Sequence, residues 1–152
     1  MSKRRSERLK IVLQMEERRE EEAREAMQTA LQAYEREQGR LSDLTQYHTD
    51  YENQARQQRQ GPQTGQQLIG WQQFISQVNQ AIAQQQAQVE RLRSRVDQHR
   101  DLWRAAWEKR EAMDRHIRQC RLQEQQDADR REQKVVDEAV NLRYARPDHR
   151  RR

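Results

Sequence analysis

Residues 71–120 read WQQFISQVNQAIAQQQAQVERLRSRVDQHRDLWRAAWEKREAMDRHIRQC, and the spacing of the apolar side chains there decides the fold class. One seam runs through Trp71, Val78, Gln85, Leu92, His99, Ala106, Met113 and Cys120, and a second through Ile75, Ile82, Val89, Val96, Trp103, Arg110 and Ile117. Twelve of those fifteen positions are apolar, at alternating spacings of three and four, so the segment reads as helix with a heptad repeat. Such a repeat predicts left-handed winding around a partner helix.

Upstream lies Gly61-Pro62-Gln63-Thr64-Gly65, the one cluster of helix breakers in the chain. Thr64 followed by Gln67 reads as a capping box, in which each side chain satisfies a free amide at the helix start. Pro147 stops the helix at the other end. Before the breakers, residues 6–60 hold no proline and a single glycine, Gly39. Leu9, Val12, Ala23, Ala26, Ala30, Ala33, Leu44, Tyr47 and Tyr51 share one face there, interrupted by Glu16, Arg19, Glu37 and Arg40; Met27, Leu31, Tyr34 and Leu41 widen it. This is a weak heptad carried by strong helix formers.

The expected fold is therefore all-α: a long antiparallel two-helix coiled-coil hairpin whose second helix is longer than the first. Helix one is placed at about 6–58, the turn at about 59–65, helix two at about 66–143, and a basic tail at 144–152, all as one domain. Folding about residue 63 sets Leu44 near Ile82, Ala30 near Val96 and Leu9 near Ile117, so small alanines face large side chains. An arm of fifty-odd residues spans roughly 80 Å at ~1.5 Å per residue. Unequal arms leave about twenty residues, from near Gln123 to Arg143, with no opposite helix. Their apolar residues Val135, Val136, Ala139, Val140 and Leu142 need a partner from elsewhere.

Composition agrees with this reading and excludes others. Charged residues are 36% and hydrophobic ones 32%, with 26 glutamines but only four glycines and two prolines. Leu, Ile, Val and Phe number 23, too few for the core of a compact enzyme. The net charge of +5 is too small for self-repulsion to explain that scarcity. No apolar segment follows the basic start, since Ile11-Val12-Leu13 is short, so neither a secretory signal nor a transmembrane span is expected. A lone Cys120 excludes a disulfide framework and suggests a reducing compartment.

No catalytic constellation is expected either. The glycine-proline turn lacks the lysine of a phosphate loop. His48, His99, His116 and His149 are scattered, and none is read as having a neighbour one turn away with which to chelate a metal. His99 reads as a polar seam residue and Cys120 as a small seam thiol without a paired base. Carboxylates alternate with Arg and Lys as solvated pairs. No cofactor or metal is expected, and the chain reads as a binding or mechanical protein.

Two surfaces are candidates. Tyr47, Tyr51, Trp71 and Phe74 flank the turn, either closing the end of the coil or forming an aromatic anchor for a partner. The termini are basic, through Lys3, Arg4, Arg5, Arg8 and Lys10 and through Arg146, Arg150, Arg151 and Arg152. A basic-zipper reading fails because no leucine repeat follows Lys3-Arg4-Arg5, and Glu16, Glu17, Glu20, Glu21 and Glu22 would repel phosphates. Trp107 falls one residue off the seam and fits either packing or binding.

The segment Leu44-Thr-Gln-Tyr47-His-Thr-Asp-Tyr51, then Trp71-Gln-Gln-Phe74-Ile75-Ser-Gln-Val78-Asn-Gln-Ala81-Ile82, then Arg131-Glu-Gln-Lys-Val-Val-Asp-Glu138, resembles the FliJ family of flagellar export proteins. That resemblance covers nearly the whole chain. It implies a non-enzymatic component of the flagellar export apparatus, built as a hairpin similar to the stalk of rotary ATP synthases. It also implies three partners: the hexameric export ATPase FliI, the export gate protein FlhA, and export chaperones. Nucleic acid is not among them, and the chain would be cytoplasmic, meeting the inner membrane only through partners. Gate binding is implied for Leu44, Tyr47, Tyr51, Phe74, Val78 and Ala81, with Arg40 and Gln85 standing where the family often has other polar residues. ATPase binding is implied for Glu132, Gln133, Lys134, Val135, Val136, Asp137, Glu138 and Val140. The rival readings are the equivalent stalk of a non-flagellar type III secretion system, a basic nucleic-acid-binding coiled coil, and a homodimeric scaffold.

Overall fold

A computed structural model describes residues 4–58, 61 and 64–145. Lys3, Pro62, Gln63, Pro147, His149 and the arginines from 146 onward, invoked above, lie outside these residues. Two helices account for the described chain: α1, Arg5–Gln58, of 54 residues, and α2, Gly65–Ala145, of 81 residues. They pack against each other as an all-α antiparallel hairpin with the second helix longer, and no strand occurs among the described residues.

Local chemistry explains both helix starts. The capping box at α2 is formed: Gln67 N–H donates to Thr64 Oγ1 at 3.3 Å, and Thr64 N–H donates to Gln67 Oε1 at 3.2 Å. At α1 the Arg4 carbonyl accepts from the amides of Glu7 and Arg8 at 3.1 and 3.2 Å. Arg56 and Arg143 in the last turns complement the helix dipoles.

The chain divides into two compact units, one of Arg19–Ala106 and one of Met1–Arg18 with Trp107–Arg152. In the Arg19–Ala106 unit the core is slim. Ala55, Val78, Leu92 and Val96 are buried, while most other seam residues are half-buried. Ala26, Ala30 and Ala33 of α1 lie across from Leu92 and His99, with which they line a groove of about 370 Å3. The polar seam positions also meet: Gln85 Nε2 donates to the Glu37 carbonyl and to Glu37 Oε2, both at 2.8 Å. A polar pair inside an apolar seam costs burial but disfavours shifted pairings, which leave it unmatched.

In the other unit Ile117 is the most deeply buried side chain, 2% exposed. Its α1 segment is anchored by Ser6, itself 4% exposed. The Ser6 amide donates to Glu124 Oε1 at 3.1 Å and its hydroxyl donates to Oε2 at 2.7 Å. Folding about residue 63 would set Ser6 opposite Cys120, so the observed partner is one turn further along α2. Those two hydrogen bonds, the backbone one first, hold the Glu124 carboxyl below the usual carboxylate range.

Candidate functional site

Just past the Ser6–Glu124 anchor, Ser6, Glu7 and Lys10 of α1 still share a crevice with Asp127, Ala128 and Arg131, and every residue from Asp129 to Ala145 is exposed. An uncovered helix must hold its own shape. Here glutamine amides donate to carboxylates one turn on: Gln123 to Asp127 at 3.2 Å, and Gln125 to Asp129 and Gln133 to Asp137 at 3.0 Å each. Each such pair contributes a few tenths of a kcal/mol, roughly 0.2–0.5. Glu132, Gln133, Lys134, Val135, Val136, Asp137, Glu138 and Val140 all stand on this segment with their side chains exposed. Leu142 and Tyr144 are exposed as well. The segment offers apolar contact and charges of both signs, with no reactive group.

In the Arg19–Ala106 unit the aromatic residues beside the turn do gather. Tyr51 lies 4.0 Å from Phe74 and 4.6 Å from Trp71, centroid to centroid, and Tyr47 lies 6.5 Å from Tyr51 and 6.2 Å from Phe74. Tyr51, Trp71 and Phe74 are half-buried, whereas Tyr47 is 53% exposed. The cluster therefore closes the interface with three rings and shows the fourth to solvent. Beside it, Arg40, Asp43, Leu44, Tyr47 and Gln85 line an open crevice of about 470 Å3.

Seven of the eight residues assigned to that surface are at least partly accessible: Arg40 and Tyr47 are exposed, and Leu44, Tyr51, Phe74, Ala81 and Gln85 are intermediate. Val78 is the exception. It is a core residue, 9% exposed, and supports the surface from beneath. Two further residues belong here that sequence reasoning did not assign. Glu37 holds both Arg40, at 2.9 Å, and Gln85, and Asp43 adds an acid to the crevice wall. The signal for Glu37 was its place on the α1 seam opposite the one glutamine of the α2 seam.

Two expectations about titratable groups need correction. His116 has a partner one turn on: its Nε2 lies 3.9 Å from Cys120 Sγ, so the thiol does have a neighbouring base. His48 likewise faces Glu52, at 3.6 Å. Both pairs are spaced by four residues on a helix, the spacing at which side chains meet. No group of three or more metal-ligating side chains occurs among the described residues, and none of the helices there is long and apolar enough to cross a membrane.

A profile for the family described as Flagellar FliJ protein matches residues 5–149. The chain belongs to the FliJ family. Membership makes it a component of the flagellar protein export apparatus, and fits a chain that works by binding without catalysis. No curated protein and no solved structure matches this FliJ-family chain. The resemblance read from its three sequence segments is thus met by the family profile over almost its full length.

Proposed function

We propose that this chain couples the hexameric export ATPase, FliI, to the export gate protein, FlhA, at the cytoplasmic face of the inner membrane, and that it also serves export chaperones. The observation that carries this reading is the uncovered stretch of α2 from Asp129 to Ala145. A helix that leaves four large apolar side chains, Val135, Val136, Val140 and Leu142, in water beside a slim hairpin core is completed by another protein. The ATPase takes that end, through Glu132 to Glu138 and Val140. The gate takes the surface of Arg40, Leu44, Tyr47, Tyr51, Phe74, Ala81 and Gln85, with Val78 beneath it.

No chemistry of its own is required for such a role. A ligand shifts an equilibrium only by its differential affinity for the states involved. One helix engaging a six-fold ring breaks its symmetry, so it favours one nucleotide state of one subunit over the others. Truncation after Gln126 is expected to abolish stimulation of the ATPase while the hairpin stays helical by circular dichroism. Tyr47→Ala with Phe74→Ala is expected to weaken gate binding about tenfold or more, as for central aromatic anchors, and to spare ATPase binding. Full stimulation by the truncated chain refutes the ATPase assignment; equal loss of both partners in the double variant refutes the gate assignment.

A further inference from the structure

The crevice beside the aromatic cluster carries one charge that nothing in the hairpin balances. Of the residues that line it, Arg40, Asp43 and Tyr47 are exposed, and Leu44 and Gln85 are half-buried. Arg40 reaches back along α1 to Glu37, with Nη1 2.9 Å from Oε1, so its charge is already met. The second oxygen of Glu37 accepts from Gln85 at 2.8 Å, and only 16% of the Glu37 side chain is exposed. Asp43 is different. Among the described residues it forms no hydrogen bond and no ion pair.

Nor does α2 supply a counter-charge. From Gln60 to Val89 the sequence holds no Asp, Glu, Lys, Arg or His, although 36% of the chain is charged. Gln85, the α2 wall of the crevice, lies within that neutral stretch. Glu37 and Arg40 cancel, and the Asp43 carboxylate remains unpaired at the rim. Its neighbours narrow the occupant further. Asp43 and Tyr47 are four residues apart, so their side chains share a face of α1, with Leu44 beside them. Tyr47 is 53% exposed, which leaves ring surface open to a ligand. A carboxylate next to an accessible tyrosine and a leucine suits a side chain with an apolar stem and a cationic head. The head pairs with Asp43 and meets the negative face of the ring, while the stem covers Leu44. An acidic side chain would instead face Asp43, with the one nearby cation already neutralised by Glu37.

We propose that this crevice receives an arginine or lysine side chain of the protein that docks on the surface. The inference rests on the assignment of that surface to the gate, and adds the chemistry by which a gate residue is recognised.

Binding of the full chain to purified FlhA, measured by biolayer interferometry at several salt concentrations, tests it, with circular dichroism to establish that each variant is as helical as the parent. Asp43→Asn keeps the shape without the charge and is expected to weaken binding about tenfold and to flatten its salt dependence. Asp43→Glu keeps the charge and is expected to stay within about threefold of the parent. Glu25→Gln removes the same charge from an exposed site on the same helix, about 27 Å away at ~1.5 Å per residue, and is expected to leave affinity and salt dependence as in the parent. Failure of the parent chain to bind FlhA overturns the gate assignment and this inference with it. Binding by the parent that is unchanged or tightened by Asp43→Asn overturns this inference alone. So does an equal loss in Asp43→Glu or in Glu25→Gln, because the effect would then lie in local shape or in the long-range field.

Discussion

Ile117→Ala and Val135→Ala remove similar apolar groups from the same helix in opposite surroundings, so their difference measures how much the hairpin interface contributes. Ile117 is 2% exposed and Val135 is 65% exposed. Full burial of an isoleucine contributes about 1.5–3 kcal/mol, and truncating one to alanine in a closed core costs about 2–5 kcal/mol once the cavity is included. A two-helix interface is open along both sides and collapses more readily than a closed core. The expected cost at Ile117 is therefore near the lower end, about 2–3 kcal/mol, or roughly 30- to 150-fold in the local unfolding constant. At Val135 the change is expected to stay within about 0.5 kcal/mol, as at ordinary surface positions. Native-state hydrogen exchange reads both, because it resolves α2 amides around residue 117 from those around residue 135. Ile117→Ala should accelerate exchange through residues 107–124 and in the α1 segment from Ser6 to Arg18. Equal effects of the two variants would refute the claim that α2 from Asp129 onward is uncovered.

Two further outcomes follow from named contacts. A Cβ added at Gly39 meets nothing within 4 Å, and the residue is exposed in the interior of α1. Gly39→Ala is therefore expected to stabilise the helix by about 0.5–1 kcal/mol, seen as a higher midpoint in denaturant, and a lower midpoint would show that the glycine serves the fold. At the α1 anchor, the lowered pKa of Glu124 means its stabilising contribution is present above the ordinary carboxylate pKa and is lost as pH falls through the lowered value. Acidification should therefore speed amide exchange at the start of α1, and Glu124→Gln should remove that part of the pH dependence; an unaltered pH profile in the variant would count against the anchor.

The α2 heptad and the Thr64–Gln67 cap were legible in the sequence because each is a local pattern. A heptad needs only its own spacing, and a capping box spans four residues. The unequal lengths of the arms followed from the same evidence, since one breaker cluster divides the helical sequence off-centre. Pairing along the hairpin was less legible. The α1 seam alternates alanine with charge, and such a seam fits nearly as well when displaced by a turn, so Ser6 meets Glu124 rather than the level of Cys120. Glu37 is an interruption when α1 is read alone, and becomes the partner of Gln85 only once α2 lies opposite it. The His116–Cys120 contact was present in the spacing, yet a search for isolated ligands passes over a thiol already assigned to the seam. At the aromatic cluster the composition could name the rings but not their exposure. Tyr47 is exposed and Tyr51 only half so because Tyr51 lies against Trp71 and Phe74.

The slim core and the binding surfaces have one physical origin. An interface with so few fully buried side chains cannot afford many polar interruptions, yet Gln85 and Glu37 occupy seam positions and satisfy each other there. Replacing both by apolar residues would bury more surface and would also leave the alanine-rich helix freer to slide. The pair therefore trades stability for a defined register, and that register sets which side chains border the crevice of Arg40, Leu44 and Tyr47. At the far end of α2 the same economy appears in reverse. The seam becomes polar at Glu124, and Val135 and Leu142, each about five turns beyond Ile117 and Glu124 on the same face, are exposed. They extend the face that meets α1 past the residues of α1 that could cover it, leaving an exposed apolar surface, which makes binding by another chain the consistent reading of this end.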